Sequence, residues 1–522
     1  MTPADFRAGA AHLSIEPPLG LPMVGFVRQP WRGTGYGLPL EVTALVLERE
    51  GRRVVVCGLD VTILKTAAAD RLVDRIAAAV GADPAGVLVN VQHSHLAPLA
   101  DRDAAHFVGG DYPSDVRRLA EAWMEAMEDK VVSACLLAAG RLEPARVAWA
   151  VATVDEAVNR RERAADGRTV LGWNPDGLVD TDVVALQARR RDGTAIGTVV
   201  GYGCHPVTTG YDMSIYSADY PGALRETIRR NGGGDCVFLQ GAGGNVLPRV
   251  AFTTDEREAE RVGRRLALSA LAALAGRGAA PRRARRQEEA STVPIIAYRV
   301  EEDWTAAPAL EAAVTRCRFA LAPLPSAEEI AELRADFDRR LEAARASGDV
   351  GRVKIAHVAA TWARGVEEIV AGRRPLPRPE GPVHAVRIGE GAIVTGPGET
   401  FTEIGLAVRE RSPGLPTLYA GYTNGCLGYF STASEYAHGG YEPGTSHRGY
   451  ELPAPFDPGS ERLLVETGVR LVERLWPGRP PWPDAQGWTA SGVVPRQAPD
   501  PVDHPGEAGA PGEPRWSTDV AG

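Results

Sequence analysis

Val54-Val55-Val56-Cys57-Gly58-Leu59-Asp60, followed by Thr66 to Val80 and then Val87-Leu88-Val89-Asn90-Val91, is the stretch that decides the fold class. The first and last runs are apolar and of strand length. Between them Leu72, Val73, Ile76 and Val80 recur at the spacing of one helical stripe. A buried strand, an amphipathic helix and a second buried strand predict a layered, mixed α/β domain. Two more strands are expected at Val184–Ala188 and Ile196–Val200. Asp219-Tyr220-Pro221-Gly222 then opens a helix to Arg230, with proline near its first position. A long helix runs to about Leu137, with Ser114 as its N-cap and Asp115 in its first turn. Asp255 to Ala275 reads as a helix followed by a polar, arginine-rich connection at 281–290, and residues 326–372 as an inserted hairpin of two charged helices. Strands return at Val383–Ile388, Ala392–Thr395 and Pro416–Tyr422, with helices at 400–411 and 459–476. No internal repeat is visible.

Residues 1–476 carry this organisation and read as one large elaborated domain, although the length alone would also allow two to four ordinary ones. Residues 477–522 hold 10 of the 40 prolines and read as an extended or disordered tail. The 522 residues are 44% hydrophobic, enough for a substantial core. Lys plus Arg is 58 against 67 Asp plus Glu, for a net charge of −9, which argues against a nucleic-acid partner. No run approaches the ~20 apolar residues of a membrane span. The N-terminus shows no cationic segment followed by an apolar run, so the expected location is the cytoplasm. Six scattered cysteines without a Cys-x-x-Cys pair predict reduced, buried thiols.

The chemistry-bearing residues fall at the ends of predicted strands. Gln92-His93-Ser94-His95 follows Val87–Val91, and alternation along a strand would send His93 and His95 to the same side. Both imidazoles bind a metal, or one binds it while the other handles protons beside it; otherwise they are two polar residues at a strand end. Gly203-Cys204-His205-Pro206 sets another histidine where a strand hands over to a loop. Gln240-Gly241-Ala242-Gly243-Gly244-Asn245-Val246-Leu247-Pro248-Arg249 lacks the third glycine of a dinucleotide fingerprint, and Pro248 stands where a helix should start. A tight loop whose amides approach a ligand is the better reading. Gly396-Pro397-Gly398-Glu399 puts a carboxylate between a strand and a helix, where an acid also suits a helix N-terminus. Tyrosines 422, 429, 436, 441 and 450, interleaved with glycines, suit a pocket wall or ordinary packing.

Taken in order, these segments resemble the N-terminal catalytic domain of the neutral/alkaline, non-lysosomal ceramidase family. The resemblance runs from Ala8-Gly9-Ala10-Ala11-His12-Leu13-Ser14-Ile15-Glu16-Pro17-Pro18-Leu19-Gly20 to about Tyr450. His93-Ser94-His95 is similar to the family's His-Thr-His segment and Asn159-Arg160-Arg161 to its Asn-Arg-Ser. Cys204-His205-Pro206, Ser217–Gly222, Gln240–Arg249, Pro397–Glu399 and Gly428-Tyr429 continue the series. The resemblance implies that His93, His205, Glu399 and Tyr429 ligate one zinc ion, with His95 as the neighbouring acid–base residue. It places Arg160 and Tyr441 at the reacting centre. A zinc-activated water would then cleave an amide, or less favourably an ester.

The departures are specific. The family's Gly-Asp-Val-Ser-Pro-Asn is Gly244-Asn245-Val246-Leu247-Pro248-Arg249 here, so Leu247 stands where ceramidases have an essential serine. Ser14-Ile15-Glu16-Pro17 replaces Asp-Ile-Thr-Pro, and a proline-rich tail takes the place of the β-sandwich domain. The expected substrate is therefore a small, soluble, polar molecule, with Asn245, Leu247 and Arg249 on its binding wall and Arg249 suited to an anionic group. Acyl transfer or ring closure, a zinc-binding protein without turnover, and a true ceramidase are the alternatives. No nucleic-acid partner and no membrane insertion are expected, and a homo-oligomer stays open.

Overall fold

Three sheets of the computed structural model each contain a strand–helix–strand crossover, and those crossovers organise the molecule. The structure describes residues 6–27, 32–101, 113–277, 282–289, 295–302, 307–412 and 416–477. In the first sheet the order is Val87–Val91, Arg52–Leu59, Glu41–Arg49, Phe6–Ser14 and Glu143–Pro144. The second runs Asp235–Gln240, Ala195–Tyr202, Asp182–Arg189, Arg146–Thr153. The third runs Leu310–Arg318, Glu380–Ile388, Gly391–Thr395, Thr417–Ala420. Most pairs are antiparallel, but one edge of each sheet is parallel: Val55 with Val87, Gly197 with Asp235 and Ala392 with Thr417. Each parallel pair is joined through a helix, respectively Thr66–Val80, Asp219–Arg230 and Thr402–Glu410. Parallel neighbours need such a crossover, and it leaves the carboxyl ends of both strands on one side.

The sequence shows why these strands are apolar throughout. In Arg52–Leu59 the residues Val54 and Val56 enter a core shared with Trp149, Leu186, Val199, Leu239, Val386 and Leu418 from the other two sheets. Val55, Cys57 and Leu59 face the opposite way, into a core with Leu72, Ile76, Trp123 and Met127 of the two covering helices. A strand buried on both faces has no polar side to show. Helix Thr66–Val80 buries the predicted Leu72, Val73, Ile76 and Val80. The predicted hairpin is present as helices Ala327–Ser347 and Val350–Val370, the first opened by a capping box of Ser326 and Glu329. Trp362 ties it to the body by donating to the Leu452 carbonyl at 2.9 Å. All six cysteines are buried and free. Among the described residues no helix is long and apolar enough to cross a membrane.

Three expectations need correction. The arginine-rich stretch 281–290 is not a connection: Arg282–Glu289 is a strand paired antiparallel with Ile295–Glu302. Its charged run carries almost no apolar alternation, the signal on which strand recognition depends. Ser114 does not cap its helix. It is the first helical residue of Ser114–Gly140, behind Pro113 in the N-cap position, and among the described residues no side-chain cap bond is made there. Finally, Pro416 and residues 421–422 lie outside their strand, which covers Thr417–Ala420. The proline-rich tail lies outside the described residues from 478 onward.

Candidate metal centre

The three crossovers bring their strand ends to one point. His93 follows the strand Val87–Val91, His205 follows Ala195–Tyr202, and Glu399 follows Gly391–Thr395. Glu399 opens a two-residue strand and pairs in parallel register with Tyr429. The loop after Thr417–Ala420 is strapped to the first sheet: Val91 N–H donates to Tyr422 O at 3.1 Å and Asn424 N–H to Val89 O at 2.9 Å. Sequence segments more than 300 residues apart thus share one backbone frame.

His93 and His95 do come together, with ring centroids 4.6 Å apart. Strand alternation is not the reason. His93 has φ of 64°, so the chain has left the extended conformation there and a left-handed kink turns the two rings toward each other. His93 is 5.1 Å and His95 5.6 Å from the ring of His205. One ligand atom from each of the three histidines falls within 4.8 Å of the others. Glu399, 1% exposed, closes the group: its Oε2 is 3.3 Å from His93 Nε2 and 3.2 Å from His205 Nε2.

The proton positions follow from the outer contacts. His93 Nδ1 lies 2.7 Å from the Thr62 carbonyl, and His205 Nδ1 lies 2.6 Å from that of Gly243. A carbonyl only accepts, so Nδ1 carries the proton in each ring and the neutral ring's Nε2 presents a lone pair. Both lone pairs then face a carboxylate oxygen, itself acceptor-only. Arg160 Nη1 reaches His205 Nε2 at 3.3 Å and the Tyr422 hydroxyl donates to Glu399 Oε2 at 3.2 Å, and a cation among the three acceptors would offset the repulsion left between them. Burial, and then the Arg160 guanidinium, push His205 down to about 4, so its imidazole is neutral at ordinary pH. Burial raises the Glu399 carboxyl, and positive charge on its His93 and His205 side holds it well below the usual carboxylate range; with the imidazoles neutral, a bound cation would supply that charge. Two imidazole nitrogens held by carbonyls and an ionised carboxylate fit a divalent metal of the zinc type. His95 is pushed well below the ordinary histidine value by burial and by the two neighbouring imidazoles.

Arg160 stands at the rim. Its Nη2 donates to the Tyr429 hydroxyl at 3.0 Å and its Nη1 is 3.3 Å from His205 Nε2. Tyr441 reaches the same corner, its ring 5.6 Å from that of Tyr429 and 42% exposed. The structure therefore brings His93, His95, His205, Glu399, Tyr429, Arg160 and Tyr441 together. Asn245, Leu247 and Arg249 are placed differently. Asn245 is 1% exposed, and its amide donates to Glu403 at 2.9 Å and accepts from Thr402 N–H at 2.9 Å. Leu247 is 7% exposed and packs with Val158, Val207, Phe26 and Ala251. Arg249 is paired with Asp155 at 2.7 Å.

The glycine-rich loop serves the metal candidates from behind. Several of its amides are used within the fold: Gly241 N–H donates to Tyr202 O at 2.9 Å and Gly244 N–H to Thr400 O at 2.8 Å. A Cβ on Gly244 would sit 2.7 Å from the Glu399 carbonyl, so glycine there lets the two segments pass in contact.

Several site residues carried no individual signal. Tyr422 donates to Glu399 Oε2 at 3.2 Å, and the Tyr450 hydroxyl donates to Oε1. Both lie in the tyrosine-rich segment, which marked a wall but not which phenols meet the carboxylate. Glu442 accepts from Arg160 Nε at 2.7 Å and from Arg161 Nη1 at 2.5 Å. Phe26 lies against His95, ring centroids 4.8 Å apart, from a loop with no distinguishing pattern.

Comparison with solved structures finds the same fold in neutral ceramidase from Pseudomonas aeruginosa, with a TM-score of 0.61 and 17% identity over 90% of this chain and 75% of that one. A ceramidase complexed with C2 gives 0.63 and 16% over 92% of this chain and 77% of that chain. At such identities the likeness shows the fold. No family model matches the chain, and no curated protein matches it.

Proposed function

We propose that this protein is a zinc-dependent hydrolase that cleaves the amide bond of a small, soluble substrate. The observation that carries this reading is the convergence of His93 Nε2, His205 Nε2 and Glu399 Oε2, all acceptors, at the carboxyl ends of three sheets. His93, His205, Glu399 and Tyr429 would hold the metal. Bound zinc supplies Lewis acidity and a water acidic enough to ionise near neutral pH. Amide hydrolysis, as the chemistry, draws support from the ceramidase fold neighbours.

The protein's own groups divide the remaining work. His95, kept neutral by burial and by its imidazole neighbours, is suited to accept a proton from water and return it to the departing amine. Arg160 and Tyr441 present hydrogen-bond donors to the side on which an oxyanion develops. Tyr422 and Tyr450 hold the Glu399 carboxylate in one orientation. Leu247 offers no hydroxyl, so the reaction proposed here does not use a serine at that position. Arg249 is paired with Asp155 at 2.7 Å, so an anionic substrate group would have to displace that carboxylate to use it.

The test is a survey of small N-acyl amines with zinc-loaded protein, monitored by release of free amine. Cleavage that is lost in His95→Ala and abolished by a chelator supports the proposal. Failure of zinc-loaded wild type to release amine from any member would overturn it.

A further inference from the structure

We propose that Phe26, Tyr211 and Phe252 form a subsite for an aryl group carried on the amine side of the scissile amide; the word amide rests on the function proposed above. The three rings make a nearly equilateral cluster, with centroids 6.2 Å apart for Phe26–Tyr211, 6.0 Å for Phe26–Phe252 and 6.1 Å for Tyr211–Phe252. Those separations are typical of aromatic packing, and a fourth ring would extend the same pattern. Phe26 joins the cluster to the centre, its ring 4.8 Å from that of His95. His95 is the group assigned to the departing amine, so a substituent on that amine would meet the Phe26 ring first.

Three further observations show that the patch is built. Phe252, packed on the Phe26 ring that touches His95, is 42% exposed and can take an apolar group against its free face. Its φ is 59°, a costly conformation for a phenylalanine. The neighbourhood enforces it: Phe252 N–H donates to Val207 O at 2.9 Å, and Gly210 N–H donates to Thr253 O at 2.8 Å. A Cβ on Gly210 would fall 2.6 Å from the Phe252 carbonyl oxygen, so only glycine lets that strained turn close. Behind Phe26 lies Leu247 with Val158 and Val207, an apolar backing in which Leu247 has an ordinary packing role.

The experiment compares kcat/KM for N-benzylacetamide, N-(2-hydroxyethyl)acetamide and N-dodecylacetamide in wild type and Phe252→Gly. Glycine adopts a φ of 59° without strain, so the variant removes the ring while easing the backbone. Phe26→Leu is the second variant, and thermal midpoints check both folds. The expected result is a preference of at least about 10-fold for the benzyl amide over both others, falling about 10-fold in Phe252→Gly. An equal preference in wild type and both variants, or a wild type favouring the hydroxyethyl or dodecyl amide, overturns the subsite and leaves amide hydrolysis standing. Benzylamine binding by calorimetry separates the two claims. If no amide is cleaved but benzylamine binds wild type at least about 5-fold tighter than Phe252→Gly, the subsite stands and the hydrolase reading fails. Equal binding, or none, overturns the subsite.

Discussion

Glu442 accepts a hydrogen bond from Arg160 Nε at 2.7 Å with both side chains almost fully buried, and this contact helps to fix the guanidinium that faces Tyr429. The second oxygen of Glu442 takes Arg161, which in turn reaches Glu435 at 2.6 Å and the Gly439 carbonyl at 2.6 Å. The strand Ala157–Arg163 and the segment 435–442 are thereby clamped together, and Tyr441 sits next to the clamp.

Glu442→Ala would take the buried carboxylate from Arg160, leaving it the Tyr429 hydroxyl, and one of three partners from Arg161. Removing one partner of a buried pair costs about 3–5 kcal/mol, so the urea midpoint should fall markedly. Glu442→Gln, which keeps an acceptor, should fall less. An Ala variant as stable as wild type would show that the clamp contributes nothing.

His95→Ala should retain the metal and lose at least about 100-fold in turnover, the scale of a general acid–base group. Zinc content by elemental analysis and kcat on a cleaved amide are measured on the same preparation. Loss of metal together with activity would make His95 a ligand, which its closeness to His93 and His205 also permits.

The His384 side chain gives a pH dependence remote from the metal candidates. Its Nδ1 donates to Ala85 O at 3.0 Å and its Nε2 accepts from Asn424 at 3.0 Å, an arrangement only the neutral ring can make. Burial pushes it down to about 4. A depressed folded value means that the contribution is present above the unfolded value of ~6.5 and is lost as pH falls toward 4, by about 3 kcal/mol at most. Denaturation at pH 7.5 and pH 5, with chelator present throughout, should show wild type losing more stability than His384→Gln. Parallel losses would contradict this.

Leu247→Ser should destabilise the protein by about 2–5 kcal/mol, because it opens a cavity among Val158, Val207 and Phe26 and buries a hydroxyl there. The wild type, lacking that hydroxyl, should hydrolyse long-chain ceramide negligibly in detergent. Efficient ceramide cleavage would mean that a serine at 247 is dispensable.

Much of the architecture was legible because burial on both faces leaves a signature: Val54–Leu59 and Val87–Val91 are continuously apolar, and Thr66–Val80 carries its stripe. Arg282–Glu289 escaped because a charged strand has none. His93, His205 and Glu399 were legible individually as strand-end residues. Their meeting was not readable from local pattern, since it depends on three sheets sharing one core; it came only as what the family resemblance implies. The left-handed turn at His93, the phenols on Glu399 and the aromatic cluster at Phe26 arise from contacts between distant segments, which local pattern does not encode.

The central claim is that His93, His205 and Glu399 form a metal site, and the most direct measurement is metal stoichiometry. After zinc loading and removal of excess, wild type should hold about one zinc per chain by elemental analysis, while His93→Ala and His205→Ala, folded by circular dichroism, hold essentially none. Wild-type protein that stays metal-free after loading, or histidine variants that bind zinc as wild type does, would contradict the account.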